Sequence, residues 1–516
     1  MDYKYPFLLF LFLFTKPIPL WAQVLTKKEI IQDLNFLDHF LQQRSSYQGL
    51  NGYHYQDDFK YYLDQLDEKD TPIRDFGLFL SKTIGKIGDR HANVREFDLP
   101  ETLYLPFTFA PFEKKVLVLK HQKPHKIFAF WDAEYPYLKS INHIPIKAIL
   151  PEVLPEEIHA PTNSYALRAL RDLRDIETVF YKLGKELPNP LPITLSSQQG
   201  HLKEIEVELV DEEQKAYLWD ERFKDLNFFL EEQDFNDPKI IENFFEIEDN
   251  ISYIQLVQML NKYSSPTYFE YLNKFMNEAH QSDALIIDVR DNGGGTRDLI
   301  QELAGFLIHP DSIYVVNIAR QRGELPLKRE LKKDLHNRYL YSKDELDSRE
   351  QVAVDAFMET FHPVYELDKD KFSEYHFHLL NGEKLGRQKK QFDKPIYILA
   401  NERTFSAASI LVSTFKSLPN IKIVGVTTDG SSGNSHKVEL PHSGLSVKTS
   451  TMVSFQKDGK LLDGVGTSPD IELTRSLDQI FFQEDYQLQQ LKAIIQEKHS
   501  TFSKDLYHGE HCISGY

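Results

Sequence analysis

The most restrictive feature of this chain is the run Ala284–Val289 (ALIIDV), which passes through Arg290, Asp291 and Asn292 into three consecutive glycines, Gly293-Gly294-Gly295. A strand with no polar alternation is covered on both faces, as strands of parallel α/β layers are. The stretch 297–308 that follows reads as a helix. The same pattern returns at Ile396–Ala400, with a helix from Ser406 to Phe415 and a further strand at Ile421–Val426. Upstream, Ile251–Leu256 reads as a strand. Ser265-Pro266 then opens a helix with Phe269, Leu272, Met276 and Ala279 on one side. Residues 250–475 are therefore expected to form an α/β core, interrupted at 311–389 by a polar segment with helical stretches, read as an insertion or lid.

The flanks differ from this core. Residues 23–100 read as a helical domain. Thr26 and Glu29 fit a capping box ahead of Ile30, Leu34, Leu37 and Leu41 at helical spacing. Thr71-Pro72 starts another helix with Ile73, Phe76, Phe79, Thr83 and Ile87 on one face, and Gly88 stops it. Residues 103–212 hold short β-rich runs at Val116–Leu119, Ile127–Phe130 and Ile205–Leu209, with a helix-like piece at 165–183. Residues 213–249 read as a charged, aromatic connector, and 476–516 as a C-terminal helix and tail.

Charge narrows the partners. The net charge is −18, which argues against nucleic acid, whose affinity comes from neutralising phosphates, and against an anionic membrane surface. Cys512 is the one cysteine, so neither an internal disulfide nor a cysteine-based zinc site can form. Residues 1–22 read as a signal peptide: Lys4, the apolar Pro6–Phe14, and Leu20-Trp21-Ala22 ending in a small residue. The apolar run is too short to span a bilayer, so the chain is expected to be exported, periplasmic or secreted, without a membrane span.

Three segments can carry chemistry. Asp288–Gly295 brings a buried strand into glycines and a helix start, where free N–H groups and the positive dipole end can hold an oxyanion or phosphate. No Gly-Lys-Ser/Thr follows and the glycine spacing is not that of a dinucleotide fingerprint, so a plain tight turn is the even alternative. In Thr404-Phe405-Ser406-Ala407-Ala408 a serine sits at a first helical turn after a buried strand, with the Ala407 N–H free to donate beside it. Helix capping is the commoner role for such a serine, unless Thr404 caps instead. Gly88-Asp89-Arg90-His91 offers a histidine, the usual base for a serine nucleophile, or simply a surface histidine.

Taken together, these motifs make the chain resemble the C-terminal processing (tail-specific) serine peptidases and their tricorn-type relatives. Asp89-Arg90-His91 matches the end of that family's helical part, and Ser140-Ile141-Asn142-His143-Ile144-Pro145 a strand and turn of its PDZ-like module. Asp288–Gly295 and Thr404–Ala408 match its core, while 425–430, 440–444 and 466–470 match its closing strands. The resemblance implies a ClpP/crotonase-like α/β core, a PDZ-like β-rich module, a polypeptide substrate and no cofactor or metal. It also implies Ser406 as nucleophile with an oxyanion hole from Ala407 and Gly294 or its neighbour Gly293. The Ser-Lys branch places a lysine where this chain has Ser431, and 428–435 contains none. The tricorn-type Ser-His branch is closer: His91 matches its histidine and Asp463 its acid, with Arg90 replacing a hydroxyl residue. Lys437 is a fallback base. Asn142 is followed by His143 where the module has glycine.

Two other readings stand beside this one: a catalytically inactive relative holding peptides or apolar ligands, as the interphotoreceptor retinoid-binding proteins do on the same core, and a scaffold binding peptide C-termini. Several further groups read as surface features. His508, Glu510, His511 and Cys512 are too loosely spaced for a metal site, His436 and His442 decorate a hairpin, and Glu242, Glu246 and Glu248 form a solvated acidic face.

Overall fold

The computed structural model describes residues 24–509 apart from 98–100, 123–126, 155–159, 216–217, 220–221 and 224–232, and only the backbone of 498–509. The leader read at 1–22, together with Glu510, His511 and Cys512, lies outside the described residues. Of the described helices, none is long and apolar enough to cross a membrane.

Three helices open the described chain: Lys27–Arg44, Tyr55–Gln65 and Ile73–Lys86. The Thr26–Glu29 capping box forms in both directions, satisfying donors that the first helical turn cannot. On the third helix Ile73, Phe76, Leu80 and Ile84 are buried. Phe79, expected on that face, packs half-buried against the same core and stacks on Tyr62 with ring centroids 3.9 Å apart. These helices share a core with Leu440, Leu445 and Val447. The short Asn93–Arg95 strand joins an antiparallel sheet with Ser446–Ser450 and Ser435–Glu439. The end of the helical part, where His91 lies, is thereby stitched to the last third of the chain.

Residues 104–210 build a seven-stranded antiparallel sheet with the helices Ile146–Val153, Thr162–Asp172 and Ile176–Lys182 against it. Tyr137–Ile141 turns back into Ile144–Pro145 through Asn142 and His143, both at positive φ (47° and 61°). That is the pair of left-handed residues a two-residue hairpin of the primed type demands, here met without glycine.

The core sheet runs Phe245–Glu248, Ile251–Gln255, Ala284–Asp288, Ile396–Ala400, Ile421–Gly425, Ile471–Glu472 in spatial order, parallel except for the first pair. Alternate residues serve opposite faces. Leu285, Ile287 and Ile398 pack under the helices Pro266–Ala279, Asp298–Leu307 and Ala407–Phe415. Ile286, Tyr397 and Leu399 meet Leu491 and Ile495 of the C-terminal helix. Because Asp288 pairs with Leu399 in parallel register, the loops after both strands leave the same edge of the sheet side by side.

Residues 311–389 are not only helical stretches. Ile313–Gln321 and His376–Asn381 are central in a second, four-stranded antiparallel sheet that includes Tyr341–Ser342 and Met452–Phe455. Its apolar side buries Ile318, Phe377 and Phe455, so this segment is built into the body of the molecule.

Candidate active site

The two neighbouring loops are locked to each other by main-chain and side-chain bonds. Thr404 Oγ1 donates to the Val289 carbonyl (2.9 Å), and the Phe405 N–H donates to the Asn292 carbonyl (2.9 Å). Asn401 and Asp291 exchange two bonds of 3.0 Å each. Arg290 binds Asp288 and Asp485, which anchors the start of the glycine loop to the C-terminal region. Gly294 lies at φ +102°, and a Cβ there would stand 2.6 Å from the Ser406 Cβ and 3.0 Å from the Ala407 nitrogen. The glycine is required by this approach as well as by its backbone angle.

Ser406 occupies the N-cap position of the Ala407–Phe415 helix at φ 52°, ψ −125°. A non-glycine residue in so sparsely populated a region carries about 1–3 kcal/mol of strain. Its side chain makes no capping bond. Thr404 does not cap either, because its hydroxyl is spent on Val289 and Asn401. The Ala407 N–H, at the first helical position, has no acceptor among the described residues. Gly294 differs: its N–H donates to Asn292 Oδ1 at 2.9 Å. Of the oxyanion donors expected from the sequence, Gly294 is thus engaged, whereas Ala407 and Gly293 have no such bond among the described residues.

His91 arrives from the far side. Gly88, at φ +77°, ends the third helix. The Asp89 carboxylate then accepts from the His91 N–H (2.9 Å), the Ser450 N–H and hydroxyl (2.5 and 2.7 Å) and the Thr449 hydroxyl (3.1 Å). Arg90 forms a buried ion pair with Asp429. The imidazole is buried beside the Phe405 ring, with centroids 5.4 Å apart. Its Nδ1 lies 3.6 Å from Asp463 Oδ1, longer than a hydrogen bond. Its Nε2 is 2.8 Å from the Ser431 hydroxyl.

Asp463 is buried and fully occupied. It accepts from the Ser432 N–H (2.8 Å), the Ser432 hydroxyl (2.5 Å) and the Tyr47 hydroxyl (2.6 Å). Burial alone would raise this carboxyl, but His91, Ser432 and Tyr47 outweigh it and hold it below the ordinary Asp value. Burial first, and then Asp463 itself, push the Tyr47 phenol well up, so it remains a donor. A carboxyl with a lowered folded pKa stabilises the fold fully above the ordinary value of 3.8, and that contribution is lost as pH falls through the lowered value. Asp463→Asn is therefore expected to lower the unfolding midpoint at about pH 7, by a margin that narrows toward about pH 3. A margin unchanged across that range, measured by denaturant titration of both proteins, would contradict this.

Tyr47 and Ser432 escape the sequence reading, as does the pairing of Arg90 with Asp429; all are set by tertiary contact and carry no local pattern. Ser431 stands out in the sequence only for the position that the resemblance gives to a lysine, not as a partner of His91. Lys437 and His442 are exposed, Lys437 on the Ser435–Glu439 strand and His442 in the turn that follows it, while His436 on that strand lies 3.6 Å from Asp334. Glu246 and Glu248 face Lys492. Among the described residues no cluster of histidine, cysteine and carboxylate side chains has the geometry of a metal site.

Residues 250–473 match the model of peptidase family S41. No curated protein matches the chain. Among solved structures, mature CPAF complexed with lactacystin superposes with a TM-score of 0.59 at 16% identity, covering 93% of this chain and 99% of that one. A structure of mature CPAF alone gives 0.55 at 17%, covering 89% and 94%. The photosystem II D1 C-terminal processing protease gives 0.41 at 12%, covering 89% and 98%. At these identities the two CPAF superpositions speak for the fold.

Proposed function

We propose that the chain, whose residues 250–473 match the model of peptidase family S41, is a serine-type peptidase of the C-terminal processing superfamily that cleaves polypeptides with Ser406 as nucleophile, His91 as base and Asp463 as the acid behind the base. In this reading Ser406 Oγ bonds to the scissile carbonyl carbon while its proton passes to His91. The oxyanion is met by the N–H groups of Ala407 and Gly293, donors aimed at charge that exists only in the transition state. His91 then gives its proton to the leaving amine, and water repeats the sequence on the acyl-enzyme. Asp463 keeps the imidazole's Nδ1 protonated and balances the cation. The leader at 1–22 sends the chain out of the cytoplasm, into the periplasm or beyond, and the seven-stranded sheet serves as the PDZ-like module beside a ClpP/crotonase-like core. The branch is the Ser-His one, because the lysine position holds Ser431.

One observation carries the reading: Ser406 holds a strained backbone and offers its hydroxyl to no helix cap. A serine retained only to start a helix would make that bond at ordinary angles. This is also what counts against an inactive relative. The test is labelling of the folded protein with a fluorophosphonate and mapping of the adduct by peptide mass. A single adduct on Ser406 is expected. No adduct, or an adduct on another serine, would return the chain to the ligand-binding reading.

A further inference from the structure

His91 has only two ring nitrogens, and neither is free for Ser406 in a simple way. Nδ1 faces the Asp463 carboxylate at 3.6 Å, beyond a hydrogen bond, and the tautomer with its proton on this nitrogen is the one the carboxylate favours. In that tautomer Nε2 holds the lone pair and accepts from the Ser431 hydroxyl, 2.8 Å away.

Ser431 is placed with care. It is completely buried. The residues before it run along the turn that carries Ser406: the Asp429 N–H donates to the Thr404 carbonyl (3.1 Å) and the Gly430 N–H to Ser409 Oγ (3.3 Å). Thr404 and Ser409 bracket Ser406 in the chain, which sets the Ser431 loop against the Ser406 turn, although in the resting structure the Ser406 hydroxyl bonds to neither Ser431 nor His91. The Arg90–Asp429 ion pair joins the residue before His91 to the residue two before Ser431. Ser432, the next residue, is bonded through both N–H and hydroxyl to Asp463. The imidazole is boxed in by Phe405 on one side and by Gly433, whose Cβ position would lie 3.4 Å from Nδ1. Its contact with Ser431 is thus the one the surrounding bonds maintain.

We propose that Ser431 is a proton relay between the nucleophile and its base. The inference rests on the assignment of Ser406 and His91 above. In the acylation step Ser406 Oγ forms its bond to the carbonyl carbon and its proton moves to Ser431 Oγ. The proton Ser431 already carries moves to His91 Nε2, and the carbonyl π pair moves onto oxygen. Ser431 ends as it began, a neutral hydroxyl. His91 ends as a cation next to Asp463, and the negative charge sits on the oxyanion. This gives a chemical reason for a hydroxyl in the place where relatives of the Ser-Lys branch hold an amine: the base is elsewhere, and the position carries its proton.

The rate of Ser406 phosphonylation by a fluorophosphonate, measured on the full chain, tests the relay apart from the peptide substrate. Ser431→Ala is expected to slow labelling by about 10²-fold or more, the range of general-base assistance. His91→Ala should slow it comparably, and the double variant little further, because the two act as one unit. Ser431→Cys, which keeps an exchangeable proton but on a far more acidic group, should recover most of the rate and shift the pH profile of labelling, which a merely structural role would not move. Slow His91→Ala with Ser431→Ala at or above the wild-type rate would overturn the relay and leave the histidine in direct contact with Ser406. If His91→Ala also labels at the wild-type rate, the relay and the underlying assignment both fail.

Discussion

Replacing Ser406 by alanine is expected to reduce peptide turnover by roughly 10³–10⁶-fold while leaving the fold intact. The size follows from what is removed. The bond-forming oxygen is lost outright, so the acyl route closes, and any residual rate comes from water activated in a site that still holds its N–H donors. Stability should change little for a specific reason: the hydroxyl makes no capping bond, so deleting it leaves no helix donor newly unpaired. The strain remains, because alanine keeps a Cβ at φ 52°. Ser406→Gly should therefore be the more stable of the two inactive variants, by about 1 kcal/mol. Unfolding midpoints of the two proteins, set beside turnover of an unfolded polypeptide, check both statements. Wild-type turnover in Ser406→Ala would remove the nucleophile assignment. A marked loss of stability in that variant would mean the hydroxyl had a structural partner after all.

The parts of this arrangement that could be read from residue order are those made by neighbouring residues. Ala284–Asp288 and Ile396–Ala400 are strands because they are apolar without alternation, and both are fully buried in the sheet. The turns that follow them are marked by Gly293–Gly295 and by the small residues after Ser406. His91 and Asp463 are another matter. They lie more than three hundred residues apart and share no pattern, and only their resemblance to a known motif order put them together on paper. Residues 311–389 misled for a physical reason. The Ile313–Gln321 strand carries Asn317, Arg320 and Gln321, all buried, which break an otherwise apolar run inside a polar segment. Each finds partners inside the protein: Asn317 donates to Ser454 and Phe455, Arg320 to the carbonyls of Leu367, Phe372 and Ser373, and Gln321 to Thr451. A polar residue whose partners come from distant segments cannot be told from a solvated one by sequence pattern, because pairing, not polarity, decides where it sits. Phe79 does lie against the core that periodicity assigned it, half-buried and stacked on Tyr62.

The same logic predicts the second large effect. Arg90 and Asp429 have side chains only 1% and 5% exposed, and each is the other's ion-pair partner. Burial dominates Asp429 and pushes its carboxyl up, with Arg90 and then His91 pulling it down. Arg90→Ala removes the main restraint and leaves a carboxyl in a dry site, which costs about 3–5 kcal/mol when the group must stay charged. The group escapes part of that cost by holding its proton, and this fixes the pH dependence. A carboxyl whose folded pKa lies above its unfolded one adds stability below the unfolded value and loses it as pH rises through the folded value. The variant should therefore be closest to wild type in acid and fall behind as pH rises. Asp429→Asn placed on top of Arg90→Ala should recover much of the loss at neutral pH, since a neutral amide needs no counter-ion. Denaturant titrations of the three proteins decide it: equal midpoints for the single and double variants would mean the charge was never the problem. Labelling of Ser406 should slow in Arg90→Ala even under acidic conditions where the fold survives, because this ion pair is what ties the segment bearing His91 to the loop bearing Ser431.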